Sequence, residues 1–253
     1  MCGRYALMSD PELLVELFAL ASLPVLKPRY NIAPTQQAPI VRAPGASGKG
    51  QGGDEGRRRL DFLHWGLIPS WAKDPSMGAR MINARSETAA EKPAFRSAMR
   101  RRRCLVPADA FYEWQKRAGG KQPYCIRMRD GSPFAFAGLW ERWEPPEGEG
   151  EETEPVESFT ILTTTPNAVM KKLHDRMPVI IPREAYDLWL DETVQDPAKL
   201  EKLLSPVSGG LLEVYPISRR INSPRHDDPA CLDPAEEVDD DDAGDADEPT
   251  LFS

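Results

Sequence analysis

Cysteine, histidine and long apolar runs are all scarce in this sequence. Its 253 residues hold four cysteines, Cys2, Cys104, Cys125 and Cys231. None forms a CxxC pair or stands at zinc-ligand spacing from a histidine. No metal site and no cofactor is therefore expected. The three histidines, His64, His174 and His226, confine any imidazole chemistry to a short list. No apolar run approaches the roughly 20 residues of a membrane span, so no membrane partner is expected. The amino terminus, Met1-Cys2-Gly3-Arg4-Tyr5, lacks a basic segment followed by an apolar stretch. That excludes a secretory signal and a lipoprotein reading of Cys2. A cytoplasmic protein with reduced thiols is expected.

Proline, in contrast, is abundant. Its 25 residues are about twice the usual share, which favours loops and irregular strands over a helical bundle. Charge is unevenly placed. The chain carries −8, yet residues 227–253 hold 12 acidic side chains and no Lys or Arg, so the remainder carries +4. Residues 144–157 hold seven more acidic side chains without a basic one, which leaves +11 elsewhere. A basic body with acidic appendages suits an anionic ligand such as nucleic acid; solubilising tails on a solvated surface account for the same charge.

Hydrophobic periodicity and turn residues outline the organisation. Ser9 and Glu12 have capping-box spacing ahead of a helix with Pro11 in its first turn, running to about Leu20. Helices are also expected over 87–100, 167–173, 183–190 and 197–204. Strands are expected over 38–42, 60–65, 104–106, 110–115, 124–129, 134–140, 159–164, 179–181 and 211–216. Residues 43–58 form a Gly-rich loop without a phosphate-binding pattern. Arg100 to Arg103 reads as a solvated basic helix end. The expected class is α+β, a single domain over 2–226 with a flexible loop at 43–58 and an acidic insert at 144–157. A disordered acidic tail over 227–253 follows, too poor in apolar residues to order itself.

Several residues could carry chemistry. Removal of Met1 would leave Cys2 with an α-amine and a thiol on adjacent carbons. Their reference pKa values, near 7.7–8.0 and about 8.5, put both within reach of neutral pH. Such an aminothiol can capture an aldehyde as a Schiff base that closes to a thiazolidine, or can act as nucleophile and base in amide hydrolysis. Glu113 lies among aromatics in Ala110-Phe111-Tyr112-Glu113-Trp114, where apolar surroundings would raise its pKa into the proton-transfer range. His174, between an expected helix and strand, could shuttle protons, with Asp175 or a backbone carbonyl fixing its tautomer. Asn83-Ala84-Arg85 offers an amide donor and a phosphate-binding guanidinium. Aromatic and basic residues interleave around Arg4, Trp65, Trp71, Arg85 and Arg176, as a single-stranded nucleic acid would require; a core position for the tryptophans is the alternative.

Six blocks occur in order: Met1–Tyr5, Tyr30–Thr35, Trp65–Trp71, Ile82–Thr88, Arg103–Trp114 and His174–Pro178. Together they resemble the SOS response-associated peptidase (SRAP) family over roughly residues 2–222. The resemblance implies an α+β domain around a curved, barrel-like, mainly antiparallel sheet with flanking helices. It also implies a sensor of abasic sites in single-stranded DNA that crosslinks covalently to the lesion. Cys2 would supply both nucleophiles, Glu113 would assist ring opening and proton transfer, and Asn83 would orient the amine or sugar. His174 would act as acid and base at the sugar. Arg4, Arg85 and Arg176 would hold phosphates, Trp71 and Pro34 would wedge or stack at the lesion, and Thr163 would contact the DNA backbone. The implied protein is a monomer, nucleoid-associated or nuclear, able to remove its own Met1. A thiol peptidase or amidase acting on peptides, and a passive single-stranded DNA-binding module, remain the competing readings.

Overall fold

Arg103–Ala108 and Phe134–Trp143 are apolar at nearly every position, the pattern of strands covered on both faces. They form the centre of the computed structural model, which describes residues 2–44, 57–117, 120–146 and 154–236. In chain order the elements are β1 (Tyr5–Leu7), α1 (Pro11–Phe18), β2 (Arg29–Ile32), β3 (Gln37–Arg42), β4 (Arg59–Trp65), β5 (Asn83–Arg85), α2 (Ser86–Ala89), α3 (Arg96–Arg101), β6 (Arg103–Ala108), β7 (Ala110–Arg117), β8 (Gly120–Met128), β9 (Phe134–Trp143), β10 (Val156–Thr164), β11 (Met177–Pro178), β12 (Ile180–Ile181), α4 (Tyr186–Leu190) and β13 (Leu212–Pro216). Short 3-10 turns fill several connections.

Strands β4, β3, β6, β9 and β10 pair in turn, and β10 returns to β4, so this sheet closes into a five-stranded barrel. Closure leaves these strands without a free edge. Among the described strands, the β10–β4 and β10–β5 pairings are parallel and the others antiparallel. Tyr5, Trp65, Phe136 and Phe159 pack in the core, with Tyr5 edge-on to Trp65 at 5.2 Å and to Phe136 at 5.9 Å between ring centroids. A second sheet, ordered β13-β8-β7-β1-β2, lies beside the barrel, with the amino-terminal strand inside it. Buried Arg42 clasps β3, β4 and β10 together: it donates to Asp61 at 2.8 Å and to both Glu157 oxygens at 3.0 and 3.1 Å, and stacks on Trp140. The α+β class and the barrel-like sheet hold.

Several expected boundaries need correction. Ser9 is no capping box; its hydroxyl and amide, with the Met8 amide, donate to Asp109, and α1 begins after Asp10 without a side-chain cap. The helix expected over 87–100 splits into α2 and α3, because Pro93 has no N–H to donate and restrains Lys92. Residues 197–204 form a 3-10 helix. Arg103 is not part of a solvated helix end: it is buried and donates to the carbonyls of Met99, Arg100, Trp189 and Asp191. The acidic segment 144–157 is also mis-bounded, since Glu157 belongs to β10 and pairs with Arg42. Residues 45–56 of the expected loop, 147–153 of the insert and 237–253 of the tail lie outside the described residues.

The segment from Asp227 to Glu236, expected to be disordered, is ordered. The Asp227 carboxylate accepts from the amides of Tyr30 and Asn31 at 2.5 and 2.9 Å and from Arg29. Asp228 then caps a 3-10 turn over Pro229–Leu232, Cys231 is buried, and Ile217 bridges to Pro234. Counting apolar residues missed this strap because part-buried hydrogen bonds to its polar groups hold it in place. Relative to a chain ending at Glu236, one ending at His226 should lose about 2–4 kcal/mol of stability, from several hydrogen bonds and a buried apolar contact. Urea titration of the two chains measures it; equal midpoints would show that Asp227–Glu236 does not brace the fold.

Candidate active site

The site forms where the second sheet meets the barrel. β1 pairs with β2 on one side and β7 on the other, which draws Cys2-Gly3-Arg4 into the protein. The Arg4 carbonyl accepts from the Tyr112 amide at 3.1 Å, extending that pairing toward the terminus. Cys2 is fully buried. From β5, Asn83 donates through Nδ2 to the Cys2 carbonyl at 2.8 Å, while its buried Oδ1 has no hydrogen-bond partner. Glu113 on β7 is only 3% exposed. His174 follows the 3-10 turn Met170–Lys172 and precedes β11, which pairs with β10.

Electrostatics tie these groups together. Burial raises the Glu113 carboxyl above the usual range, and a charge on nearby His174 opposes that rise. Burial likewise pushes the Cys2 thiol up, reinforced by the charge of Glu113. The backbone N–H of Arg176 donates to His174 Nδ1 at 3.0 Å, which in the neutral ring places the proton on Nε2. Asp175 Oδ1 lies 2.8 Å from the same nitrogen, ready to accept from it when the ring is charged. Cys2, Asn83, Glu113 and His174, distant in sequence, are thus brought together: Asn83 bonds the Cys2 carbonyl, and Glu113 interacts electrostatically with both Cys2 and His174. His64 sits on β4, and His226 lies just before the carboxy-terminal strap, against the Arg220 carbonyl.

The residues expected to hold DNA divide. Trp71 is 57% exposed on the loop after β4. That loop is rigidly seated: Ile68 N–H donates to Ser158 Oγ, and Trp143 Nε1 donates to the Ala72 carbonyl at 2.7 Å. Gly66 adopts φ +135°, and a Cβ there would stand 2.5 Å from the Gly78 carbonyl oxygen, so the loop closes on itself only with glycine. Arg85 is exposed at the end of β5, and Pro34 is half-buried beside Thr35 in a left-handed turn. Trp65 is not a stacking platform: it is buried, donating to the Ile82 carbonyl at 3.0 Å.

Three further expectations are corrected. Thr163 is buried and cannot touch a DNA backbone; its carbonyl accepts from Arg176 Nη2 at 2.6 Å. Arg4 spends its guanidinium on Asn31 and on the Ile221 and Asn222 carbonyls, which makes it a brace between the amino-terminal arm and the segment that follows β13. Arg176 does not stand exposed like Arg85: it is held bidentately by Glu87 at 2.7 and 2.8 Å. Glu87 and Asp109 had no assigned role in sequence, although both fall within the ordered blocks. Residue type and spacing did not reveal their partners, which lie 89 and 100 residues away.

A family model described as SOS response associated peptidase (SRAP) matches residues 1–224. The chain belongs to the SRAP family. Among SRAP relatives, the abasic site processing protein YoqW of Bacillus subtilis is 40% identical over 237 residues, covering 92% of this chain and 99% of YoqW. The abasic site processing protein HMCES of Gallus gallus is 34% identical over 233 residues, 83% of this chain and 67% of HMCES. A crystal structure of a Bacteroides thetaiotaomicron protein matches this SRAP fold with a TM-score of 0.78 at 25% identity, over 93% of this chain and all of the other.

The buried carboxyl of this SRAP site makes a prediction about stability. Because the folded Glu113 pKa is raised, the unfolded chain ionises first as pH climbs through the ordinary Glu range near 4.3. Stability therefore falls over that window and levels off once pH passes the folded value. Glu113→Gln removes the cost, so the variant should be more stable than wild type at pH 7 and equal to it at pH 3.5. Urea unfolding at the two pH values checks this; equal stability at pH 7 would show that burial imposes no ionisation cost.

Proposed function

We propose that this protein processes abasic sites in single-stranded DNA by linking itself covalently to the lesion through Cys2. The observation that carries the reading is the convergence of Cys2, Asn83, Glu113 and His174 in a family whose relatives are named abasic site processing proteins. An abasic sugar opens in part to an aldehyde. After loss of Met1, the Cys2 amine adds to the aldehyde carbon and the carbinolamine loses water to give a Schiff base. The thiol then adds to the imine carbon and its proton passes to nitrogen, closing a thiazolidine. The balance is one aldehyde plus one aminothiol giving one thiazolidine and one water.

Each side chain has a role in this sequence. Glu113, held protonated more readily than an ordinary carboxyl, donates to the sugar oxygen as the ring opens and as water leaves. His174 receives and returns protons at the sugar. Asn83 fixes the arm that bears the nucleophiles through its bond to the Cys2 carbonyl. Exposed Arg85 meets a phosphate, and Trp71 with Pro34 packs against the gap left by the missing base. Before Met1 is lost the Cys2 nitrogen is an amide and cannot form the imine.

Incubation with an abasic single-stranded oligonucleotide, followed by a denaturing gel, tests the proposal. A heat-resistant shifted band is expected. Peptide turnover without a shift would favour a thiol peptidase, and retardation seen only in native gels would favour passive binding. Cys2→Ser should keep non-covalent binding but lose the stable band, since an amine alone cannot close the thioether ring; a wild-type level of adduct would refute the aminothiol chemistry. Glu113→Gln and His174→Ala should slow adduct formation by about 10²–10⁴, the usual scale of general acid–base catalysis. Their affinity for undamaged strands, read by fluorescence anisotropy, should stay within about twofold of wild type, since neither group is assigned a phosphate contact.

A further inference from the structure

Beyond the residues already assigned, the geometry points to a second phosphate-binding surface, formed by Lys116, Lys121, Lys171 and Lys172, that carries the single strand away from the site on the side opposite Arg85. The inference rests on the abasic-site reading, because it extends the path of the same strand. Two segments distant in sequence bring the four lysines together. Lys116 on β7 stands in register with Lys121 on β8, near the end of that pair, and both are exposed. Lys171 and Lys172 are exposed on the 3-10 turn Met170–Lys172. Gln115, the residue before Lys116, donates through Nε2 to the Lys172 carbonyl at 3.0 Å, so the turn and the strand end touch. Exposed Arg219 reaches the same end: its Nη2 lies 3.7 Å from where a Cβ on Gly120 would stand.

The placement of charge calls for an anionic partner. Like charges directly opposite on paired strands repel, and Lys116 faces Lys121 in that way. None of the four lysines has an ion pair or a side-chain hydrogen bond among the described residues. The carboxylate nearest the turn in sequence, Asp175, lies against His174. Elsewhere on the same sheet cations are neutralised: Arg127 of β8 pairs with Glu213 of β13. A lysine ammonium binds phosphate as a mobile point charge. Such contacts position a strand without reading its bases. The surface is also continuous with the site. Thr163 of β10 is in register with Arg85 of β5 on one flank and with Pro178 of β11 on the other. The turn bearing Lys171 and Lys172 leads through His174 into β11. Arg85 and the lysines thus stand on opposite sides of β10, with His174 between them. A strand held at Cys2 is the anion that reaches this surface first, which favours it over an acidic protein.

The test combines Lys116→Gln, Lys121→Gln, Lys171→Gln and Lys172→Gln in the full chain. Fluorescence anisotropy across a salt series follows binding of undamaged single strands of about 5 and about 20 nucleotides, against the roughly 4–16 that one compact domain covers. On the longer strand the variant should bind about tenfold more weakly at low salt. Its slope of log affinity on log salt should flatten by about 2–3, at about 0.7 for each lost phosphate contact. On the shorter strand, which fills only the region around Cys2, the two proteins should agree within about twofold. The adduct rate at saturating abasic oligonucleotide should be unchanged, since no lysine touches the reacting atoms. Replacing the same four residues by arginine keeps the charge and should keep the wild-type slope. Equal slopes on the longer strand overturn the inference and leave the surface to an acidic protein or to no ligand. An equal loss on both strand lengths also overturns it, because the lysines would then act through the general field of the protein. If wild type forms no heat-stable adduct, the abasic-site reading fails; a flattened slope confined to the longer strand would still mark the lysines as a surface for single-stranded nucleic acid.

Discussion

The pairing of the amino-terminal strand inside a sheet is the constraint on which the rest of this molecule depends. Chain ends usually fray at the surface, because few contacts hold them. Here β1 has a hydrogen-bonded neighbour on each side, so residues 2–4 are drawn into the interior. Cys2 is fully buried and anchored through its carbonyl by Asn83. The proposed nucleophile, Cys2, thereby acquires the rigidity of a residue set beside a paired strand. The arm is held from the other side as well: Arg4 and Asn31 bind carbonyls of the segment 221–226, and Asp227 closes onto Arg29, Tyr30 and Asn31. The first and last described segments of the chain stabilise one another beside the reactive residue.

Burial sets the chemistry of that residue and its neighbour in the same direction. Both the Cys2 thiol and the Glu113 carboxyl are disfavoured as anions when removed from water. A protonated carboxyl beside a nucleophile is a proton donor, the form required when an oxygen must leave a carbon. His174, by contrast, is partly exposed and has partners for either charge state. In the proposed chemistry, the site therefore combines a dry proton donor, Glu113, with a wetter proton carrier, His174.

The arginines show how one residue type serves opposite ends. Arg42, Arg103 and Arg4 satisfy buried or half-buried acceptors and hold the barrel, the α4 connection and the amino-terminal arm. Of the three arginines expected to hold phosphate, Arg85 alone stands exposed, and Trp71 stands exposed on its glycine-closed loop. The basic body inferred from net charge is thus not a uniform phosphate-binding surface. Much of its positive charge works inside the fold, where each guanidinium has five donors to place.

What the sequence determined by itself was local or compositional. The buried strands β6 and β9 were legible because apolar runs between turn residues have few other uses. The reactive types at Cys2, Glu113 and His174 were legible because few residues can supply such chemistry, and six ordered blocks pointed to one family. The three-residue strands β1 and β5, which carry the nucleophile arm and Asn83, are too short to show a period. The strap at 227–236 was hidden because its order comes from Asp227 and Asp228 accepting hydrogen bonds, not from apolar content. Only the tertiary structure decided which arginines are free, that Thr163 and Trp65 face inward, and that Glu87 holds Arg176. Those outcomes depend on partners brought together across tens to hundreds of residues, and the identity of a side chain does not reveal which distant acceptor it will meet.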